Sequence, residues 1–228
     1  MSRSVIVTGG FGTLGTAVAQ AFIQLGDAVS RVDFAPQAQQ AVAGASDHGG
    51  IDLTDAAGTQ AAFAKIAEAQ GGIDVLVNVA GGFVWEMVSG GSLDNWTRMY
   101  RMNALTAATA SQTVLPWLEK SSGGRVINIG AGAAIKADTG MGAYAASKAG
   151  VHRLTEALAQ ELMGSGTTVN AILPSIIDTP VNRADMPDAD FSQWITPGAI
   201  ADVVCFLASP AARSVSGALI PVTAPAAS

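Results

Sequence analysis

The sequence has 228 residues, of which 49% are hydrophobic and only 13% charged, and its formal net charge is −6 at pH 7. A chain of this length and composition can bury a substantial core, so we expect one domain over residues 1–228. The acidic balance and the lack of a Lys/Arg run exclude nucleic acid as an expected partner. No apolar run reaches the roughly 20 residues that cross a bilayer, so we expect no membrane association.

Cysteine usage and the start of the chain indicate the compartment. Cys205 is the single cysteine, so no disulfide can form within the chain, and no zinc-ligand spacing is present. A strand-like run begins at Ser4, which leaves no room for a signal peptide. These features predict a cytoplasmic protein without a metal site.

Strand-like and helix-like segments alternate along the chain. In chain order we predict strand Ser4–Val7, helix Leu14–Leu25, strand Ala28–Asp33, helix Gln37–Val42, a strand end at Gly50–Leu53, helix Ala56–Ala69, strand Ile73–Val77, helix Leu93–Glu119, strand Arg125–Ile129, helix Ala143–Met163, strand Thr168–Leu173, a helix capped by Thr196 that ends by Pro210, and strand Ala218–Val222. Continuous apolar runs such as Ile73–Val77 are typical of strands buried on both faces. The order predicts an α/β fold, a Rossmann-type doubly wound parallel β-sheet with helices on both faces.

A glycine-rich turn joins the first predicted strand to the first predicted helix. After Gly9, the residues Gly10, Gly12 and Gly15 have the spacing GxGxxG. In a strand–turn–helix context this spacing is typical of a dinucleotide-binding loop. The glycines allow a tight turn, close approach to a pyrophosphate and close helix–strand packing, while the helix N-terminus offers free N–H groups to phosphate.

An acidic residue ends the second predicted strand. Asp33 follows Gly9 by 24 residues. A carboxylate at this position accepts hydrogen bonds from ribose hydroxyls and repels a 2′-phosphate, so it favours NAD over NADP. Side chains alternate along a strand, so Arg31 lies on the same strand face as Asp33. Because a cation at this position could attract a 2′-phosphate, NADP stays an alternative cofactor.

A tyrosine and a lysine lie four residues apart in the predicted helix Ala143–Met163. Tyr144 and Lys148 therefore lie on one helix face. A free phenol titrates near ~10, and a neighbouring ammonium favours the phenolate. We therefore predict a lowered pKa for Tyr144 and a role in proton transfer.

Taken in order, these motifs resemble the short-chain dehydrogenases/reductases over essentially the whole chain. Thr8–Gly15 resembles the cofactor loop of the family, Tyr144 and Lys148 fit its YxxxK motif, and Asn103 lies where the family has a helix asparagine. The resemblance implies that Tyr144, Lys148 and Asn103 are catalytic, with Asn103 holding a water that passes protons to Lys148. It implies an NAD cofactor, with NADH preferred over NADPH, held by Gly9, Gly10, Gly12, Leu14, Gly15, Asp33, Asp52, Leu53, Asn78, Ala80, Gly81, Lys148, Pro174 and Thr179.

The sequence departs from the family pattern at two positions. Thr13 stands where the family usually has a glycine. Ala131 stands where the catalytic serine is expected, thirteen residues before Tyr144. Loss of one donor to the developing oxyanion can cost ~10²–10³ in rate, so this substitution bears on the substrate.

A narrower resemblance offers one reason for the missing serine. The segments Asp178–Arg183, Met186–Trp194 and Gly140–Gly142 are similar to dihydropteridine reductases, which keep the tyrosine and lysine but lack the serine. This resemblance implies a quinonoid dihydropterin, which is electron-poor and needs less help to accept hydride. Asn103 instead follows the general family.

The substrate is expected at a short loop over about residues 180–196. We predict substrate contacts from Ala131, Met141, Trp85, Ser175 and Trp194, although the tryptophans could equally pack loop onto core. His152, two turns after Tyr144, is interpreted as a packing or interface residue.

Three functions follow from these observations. The first is an NAD(H)-dependent oxidoreductase acting on a small or aromatic carbonyl, alcohol or imine; the second is a quinonoid dihydropteridine reductase; the third is a non-catalytic dinucleotide sensor. The two long predicted helices correspond to those that pair across a two-fold axis in the family, which implies a homodimer or a homotetramer.

Overall fold

Seven strands and seven α-helices alternate over residues 2–224, the part of the chain that this computed structural model describes. The strands are β1 Ser4–Thr8, β2 Ala28–Val32, β3 Ala45–His48, β4 Val75–Asn78, β5 Arg125–Ile129, β6 Thr168–Pro174 and β7 Leu219–Val222. The helices are α1 Thr13–Gln24, α2 Ala56–Gln70, α3 Asp94–Met99, α4 Thr106–Leu118, α5 Gly142–Glu161, α6 Pro180–Asp185 and α7 Pro197–Ala208. Within residues 2–224, no helix combines the length and apolar character needed to cross a membrane.

All seven strands form one parallel sheet in the order β3-β2-β1-β4-β5-β6-β7. The chain builds outward in one direction from β1 and then in the other from β4, so the strand order reverses between these two strands. In such sheets the crevice outside the carboxyl ends of the strands at the reversal point is where ligands bind. The predicted doubly wound fold is confirmed.

The sheet is covered by helices on both faces. Val5 and Val7 of β1 join one core cluster, with Phe22 of α1, while the intervening Ile6 joins the other, with Phe63 of α2. Alternation along β1 therefore buries side chains on both faces, because successive residues of a strand point to opposite sides. This burial explains the continuous apolar runs of the central strands.

The region between β2 and β3 differs from the prediction. Gln37–Val42 is not helical, and the third strand is Ala45–His48 rather than the predicted strand end at Gly50–Leu53. β3 is an edge strand with a half-exposed, polar sequence, so it lacks the apolar pattern by which strands are recognised. In the preceding connection, the carbonyl of Gln40 accepts a hydrogen bond from the Arg31 side chain, a long-range contact that local propensity does not reveal.

The long predicted helix Leu93–Glu119 is interrupted. α3 continues into a π-helical segment, Tyr100–Leu105, before α4 begins. Such insertions of an extra residue per turn occur frequently at functional sites. Asn103 lies inside the π-helical segment and is buried.

Candidate active site

A cavity of about 1040 Å³ opens at the carboxyl ends of β1, β2 and β4. The loop between β1 and α1 and the end of β2 contribute Gly9, Gly12, Leu14, Gly15 and Asp33 to its wall. Residues further along the chain complete it: Asp52, Leu53, Ala80, Gly81 and Thr179. The structure thus brings these predicted cofactor residues together at the topological switch point.

The glycines of the loop meet distinct steric demands. Gly9 has φ +61°, and a Cβ there would lie 2.8 Å from the Ala80 backbone. A Cβ on Gly15 would collide with the carbonyl oxygen of Gly9, so this glycine allows α1 to pack against the loop. Gly12, by contrast, borders the cavity, a Cβ there would make only an ordinary 3.6 Å contact with the Gly9 carbonyl oxygen, and it is the N-cap of α1 without a side-chain hydrogen bond. The loop therefore presents bare backbone and a helix N-terminus to an anionic ligand.

The Asp33 carboxylate is held by the backbone. Its Oδ2 accepts a hydrogen bond from the Phe11 N–H at 3.0 Å, and its Oδ1 accepts one from the Ala35 N–H, also at 3.0 Å. Each oxygen has a further lone pair, so the half-buried side chain can still accept hydrogen bonds from ribose hydroxyls.

Arg31, which the sequence places on the strand face of Asp33, and Arg3 are both engaged elsewhere. Arg31 is fully buried and forms a bidentate pair with Asp47. Arg3 lies at the amino end of the sheet, where it pairs with Asp27. The cations that do line the cavity, Arg98 and Arg101, were missed by sequence reasoning, because their approach to the cavity depends on how α3 and the π-helical segment pack.

Asp52 lies exposed at the rim of the cavity. It accepts hydrogen bonds from the N–H and the hydroxyl of Thr54, both at 2.8 Å. These bonds, first the backbone one, and the nearby Arg101 hold the pKa of Asp52 below its usual value. Arg101 also donates to the Thr54 hydroxyl at 3.0 Å, so this part of the rim is one polar network.

Some predicted cofactor residues support the cavity without lining it. Asn78 is buried and donates to Ser111 and Asn128, and Asn128 donates in turn to Thr155. The Asn78 side chain therefore ties the sheet to α4 and α5 and does not border the cavity. Gly10 lies against Arg31 beneath the loop, and Pro174 is buried at the end of β6.

Two of the three predicted catalytic residues, Lys148 and Asn103, meet at Gly81. The Lys148 Nζ donates to the Ile129 carbonyl at 2.7 Å. The Asn103 amide donates to the Ser147 hydroxyl at 2.9 Å and is bonded through both of its polar atoms to the Gly82 backbone. A Cβ on Gly81 would lie 2.5 Å from Asn103 Oδ1 and 3.4 Å from Lys148 Nζ, so only glycine fits between these side chains.

The protonation states differ from the sequence prediction. Burial raises the pKa of Tyr144 to about 12 and lowers the pKa of Lys148 to about 8. The predicted lowering of the Tyr144 pKa is therefore wrong for this structure, because burial outweighs the influence of the ammonium, which is bonded to Ile129. Tyr144 keeps its proton at neutral pH, which is the form that a proton donor requires.

Ala131 leaves the position of the family serine without a hydroxyl. It is buried in extended backbone, and its N–H donates to His152 Nε2 at 3.4 Å. The imidazole of His152 also lies against Gly130, where a Cβ would approach it to 2.6 Å. Burial lowers the pKa of His152, which keeps the imidazole neutral and able to accept this bond. His152 is thus a packing residue that positions the Ala131 backbone.

Two aromatic side chains lie in the loop after β4, and one of them contacts Tyr144. The ring of Phe83, missed by sequence reasoning, packs edge-on against Tyr144 with the centroids 4.9 Å apart, yet half of Phe83 is exposed. Trp85 is also exposed and packs on Gly140, just before the half-buried Met141. The sequence signal that could have identified Phe83 as a site residue is its position two residues after Gly81.

Other predicted substrate residues lie in different surroundings. Trp194 is buried and its ring packs against Phe191, so it fastens the loop to the core. Ser175 is exposed after β6, and its N–H donates to the Val222 carbonyl. Across the described part of the chain, no group of three or more His, Cys, Asp or Glu side chains could hold a metal ion.

Comparison with known proteins decides the family. A family model described as short chain dehydrogenase matches residues 3–190. The chain belongs to the short-chain dehydrogenase family. Members of this family use NAD(P), and the relatives of this chain are named reductases and dehydrogenases. This protein is therefore an oxidoreductase.

Relatives match this short-chain dehydrogenase along most of its length. It is 33% identical over 237 residues to the 3-oxoacyl-[acyl-carrier-protein] reductase MabA of Mycobacterium tuberculosis, covering 97% of this chain and 92% of the relative. It is 31% identical to meso-2,3-butanediol dehydrogenase of Serratia marcescens, with 97% and 93% covered. The structure of Thermoplasma acidophilum aldohexose dehydrogenase in ligand-free form superposes with a TM-score of 0.87 at 26% identity, covering 97% and 92%.

The cavity residues fit an NAD(P) cofactor. The bare backbone at Gly12 and the uncapped N-terminus of α1 suit a pyrophosphate, and Asp33 suits a ribose. Gly81 leaves the approach to Lys148 and Asn103 free of a side chain. The dinucleotide would therefore lie along the switch point.

The lowered pKa of Lys148 predicts how stability depends on pH. Between about pH 8 and the ordinary lysine value of 10.5, the unfolded chain binds a proton that the folded protein has released. Stability therefore rises with pH in this window, because the cost of a buried ammonium is relieved. Urea unfolding at pH 8 and pH 10 should show wild type gaining stability relative to Lys148→Met, and the contribution of Tyr144 cancels from this comparison because both proteins carry it. The exposed-site control Lys65→Met should follow wild type, and a constant difference between wild type and Lys148→Met would contradict this prediction.

Proposed function

We propose that this protein is an NAD(H)-dependent oxidoreductase that transfers hydride to or from a small or aromatic carbonyl, alcohol or imine, with Tyr144 as the proton donor. The observation that carries the proposal is the meeting of Lys148 and Asn103 at Gly81, which lines the cavity, with Tyr144 one turn before Lys148 on the same face of α5. The cofactor, when bound, supplies or accepts the hydride.

The chain's own residues position and protonate the substrate in this proposal. Tyr144 donates a proton to the substrate oxygen or nitrogen as negative charge develops there, and takes it back in the oxidative direction. Lys148 uses one of its three N–H groups on Ile129, so two stay available for the nicotinamide ribose and for a proton path. Asn103, held between Gly82 and Ser147, fixes the backbone around that path.

The substrate class follows from the surroundings of Tyr144. Phe83 and Trp85 present exposed aromatic faces, and the one arginine of the substrate loop, Arg183, is paired with Asp178. An apolar surface without a free cation suits a neutral substrate. The names of the relatives cover an acyl-carrier-protein thioester, a diol and a sugar, which supports carbonyl–alcohol chemistry without selecting one compound.

A quinonoid dihydropteridine reductase is the second candidate. The observation that favours it is Ala131, which provides no hydroxyl to the substrate oxygen. An electron-poor imine would need less stabilisation than a ketone, so Tyr144 alone could suffice. The resemblance to dihydropteridine reductases is not shown by the relatives reported above, and a non-catalytic sensor is disfavoured because the family consists of enzymes.

We further propose that NADH is preferred over NADPH. Replacement of Asp33 by alanine should weaken NADH binding and narrow its advantage over NADPH, because the ribose loses an acceptor and a 2′-phosphate loses a repulsive neighbour. Dissociation constants for both dinucleotides, measured by fluorescence titration, test this. Asp202→Ala, on the exposed side of α7, is the matched control. Tighter binding of NADPH than NADH by wild type would contradict the proposal and direct attention to Arg98 and Arg101.

Kinetics of two variants separate the substrate classes. Ala131→Ser should raise kcat/KM for a ketone, by up to ~10²-fold, because it restores an oxyanion donor, and should change little for a quinonoid dihydropterin. Tyr144→Phe should abolish most ketone turnover in either background. Fast ketone reduction by wild type with no gain from Ala131→Ser would show that another donor replaces the serine, and Ser175 would be tested first.

We also propose that the protein forms a homodimer or a homotetramer through α4 and α5. α5 exposes the small residues Ala146 and Ala157, and the neighbouring Leu93, Trp96 and Tyr100 expose apolar side chains. Such a face suits self-association about a two-fold axis.

Sedimentation at micromolar concentration tests the assembly. Wild type should sediment as a dimer or tetramer, and Ala146→Arg should shift it toward monomer, because two added charges would oppose each other across the two-fold axis. Ala64→Arg on the exposed side of α2 should leave the wild-type state unchanged. A monomeric wild type would refute the proposal.

A further inference from the structure

A buried arginine, paired with a partly exposed aspartate, lies directly beneath the dinucleotide loop. The Arg31 guanidinium is fully buried and pairs with Asp47 through Nε at 2.8 Å and Nη2 at 2.7 Å. Its Nη1 also donates to the carbonyl of Gly10 at 3.2 Å, and the Phe11 ring lies over the guanidinium at 5.2 Å. Arg31 therefore contacts Gly10 and Phe11, and the Phe11 N–H is also bonded to Asp33.

Asp47 lies on the edge strand β3 and reaches a second, smaller cavity. Its side chain is 35% exposed, and the cavity it borders has a volume of about 380 Å³. Phe11 and Gln37 line both this cavity and the larger one, so the two are neighbours. An anionic group in the smaller cavity would meet the Asp47 carboxylate.

We propose that Asp47 is a specificity-determining residue for the cofactor, because it neutralises the buried Arg31 guanidinium beneath the dinucleotide loop and places a negative charge in the cavity that adjoins the dinucleotide cavity at Phe11 and Gln37. This inference rests on the proposed NAD(H) function. The carboxylates of Asp33 and Asp47 carry two negative charges, and Arg31 carries one positive charge. The remaining negative charge disfavours the binding of a 2′-phosphate. Removal of the Asp47 charge would leave an uncompensated guanidinium 3.2 Å from the Gly10 carbonyl. The relative affinity for the two dinucleotides would then shift toward NADPH.

The pair also has a positioning role, which a second variant separates from the charge effect. Arg31 joins the loop to the connection before β3 through bonds to the carbonyls of Gly10 and Gln40. Arg31→Met removes both the cation and these bonds. This change should weaken the binding of both dinucleotides, because the loop loses its bonds to Arg31, but it should not shift the preference toward NADPH.

Fluorescence titration with NADH and NADPH tests the proposal on wild type and four variants. Asp47→Asn keeps the shape of the side chain and should raise the NADPH-to-NADH affinity ratio on the order of tenfold, because one carboxylate charge no longer repels the 2′-phosphate. Asp47→Ser is a second variant without the charge. Arg31→Met should not raise the ratio. Asp27→Asn, which removes the carboxylate of the Arg3 pair at the opposite end of the sheet, should match wild type.

The outcomes are distinguishable. Tight NADH binding by wild type with an unchanged ratio in both Asp47 variants would overturn this inference and leave the proposed function standing. An equal rise of the ratio in Arg31→Met would overturn it as well, because loop disorder would then be the cause. Wild-type protein that binds neither dinucleotide would overturn the proposed function and this inference together.

Discussion

The site depends on how closely backbone segments approach at the carboxyl ends of β1 and β4. Gly9 lies so near Ala80 that a Cβ would come within 2.8 Å of its backbone, and Gly81 lies equally close to Asn103. These contacts leave the cavity open on one side while the polar side chains meet on the other. A side chain at either glycine would push the cofactor loop away from the catalytic group, so binding and chemistry depend on one steric condition.

Around this edge, buried polar side chains are held by backbone atoms. Lys148 donates to Ile129, Asn103 is bonded to Gly82, and Asp33 accepts from Phe11 and Ala35. Bonds of this kind fix side-chain orientation without adding charge, and buried polar groups without partners would be costly. Burial then sets the protonation states, since it raises the Tyr144 pKa and lowers that of Lys148. A protonated phenol next to a weakly basic amine is suited to donate a proton.

Sequence reasoning succeeded where the signal is local and failed where it depends on distant contacts. The turn at Gly10–Gly15 and the central strands follow from residue type and periodicity. The polar edge strand Ala45–His48 was missed, because its pairing with β2 and the Arg31–Asp47 bonds join residues that no short window connects. The bonds from the Asn78 amide to Ser111 and Asn128 are likewise long-range contacts that its motif does not reveal.

The sequence by itself determined the fold class, the order of the motifs, and the alignment of Tyr144 and Lys148 on one helix face, because these depend on spacing along the chain. Tertiary structure alone decided which charges meet and which groups lose water. It paired Arg31 with Asp47, brought Phe83 against Tyr144, and reversed the expected direction of the Tyr144 pKa. The reason is that burial and long-range pairing arise from packing among elements, whereas periodicity reports only on the element that carries it.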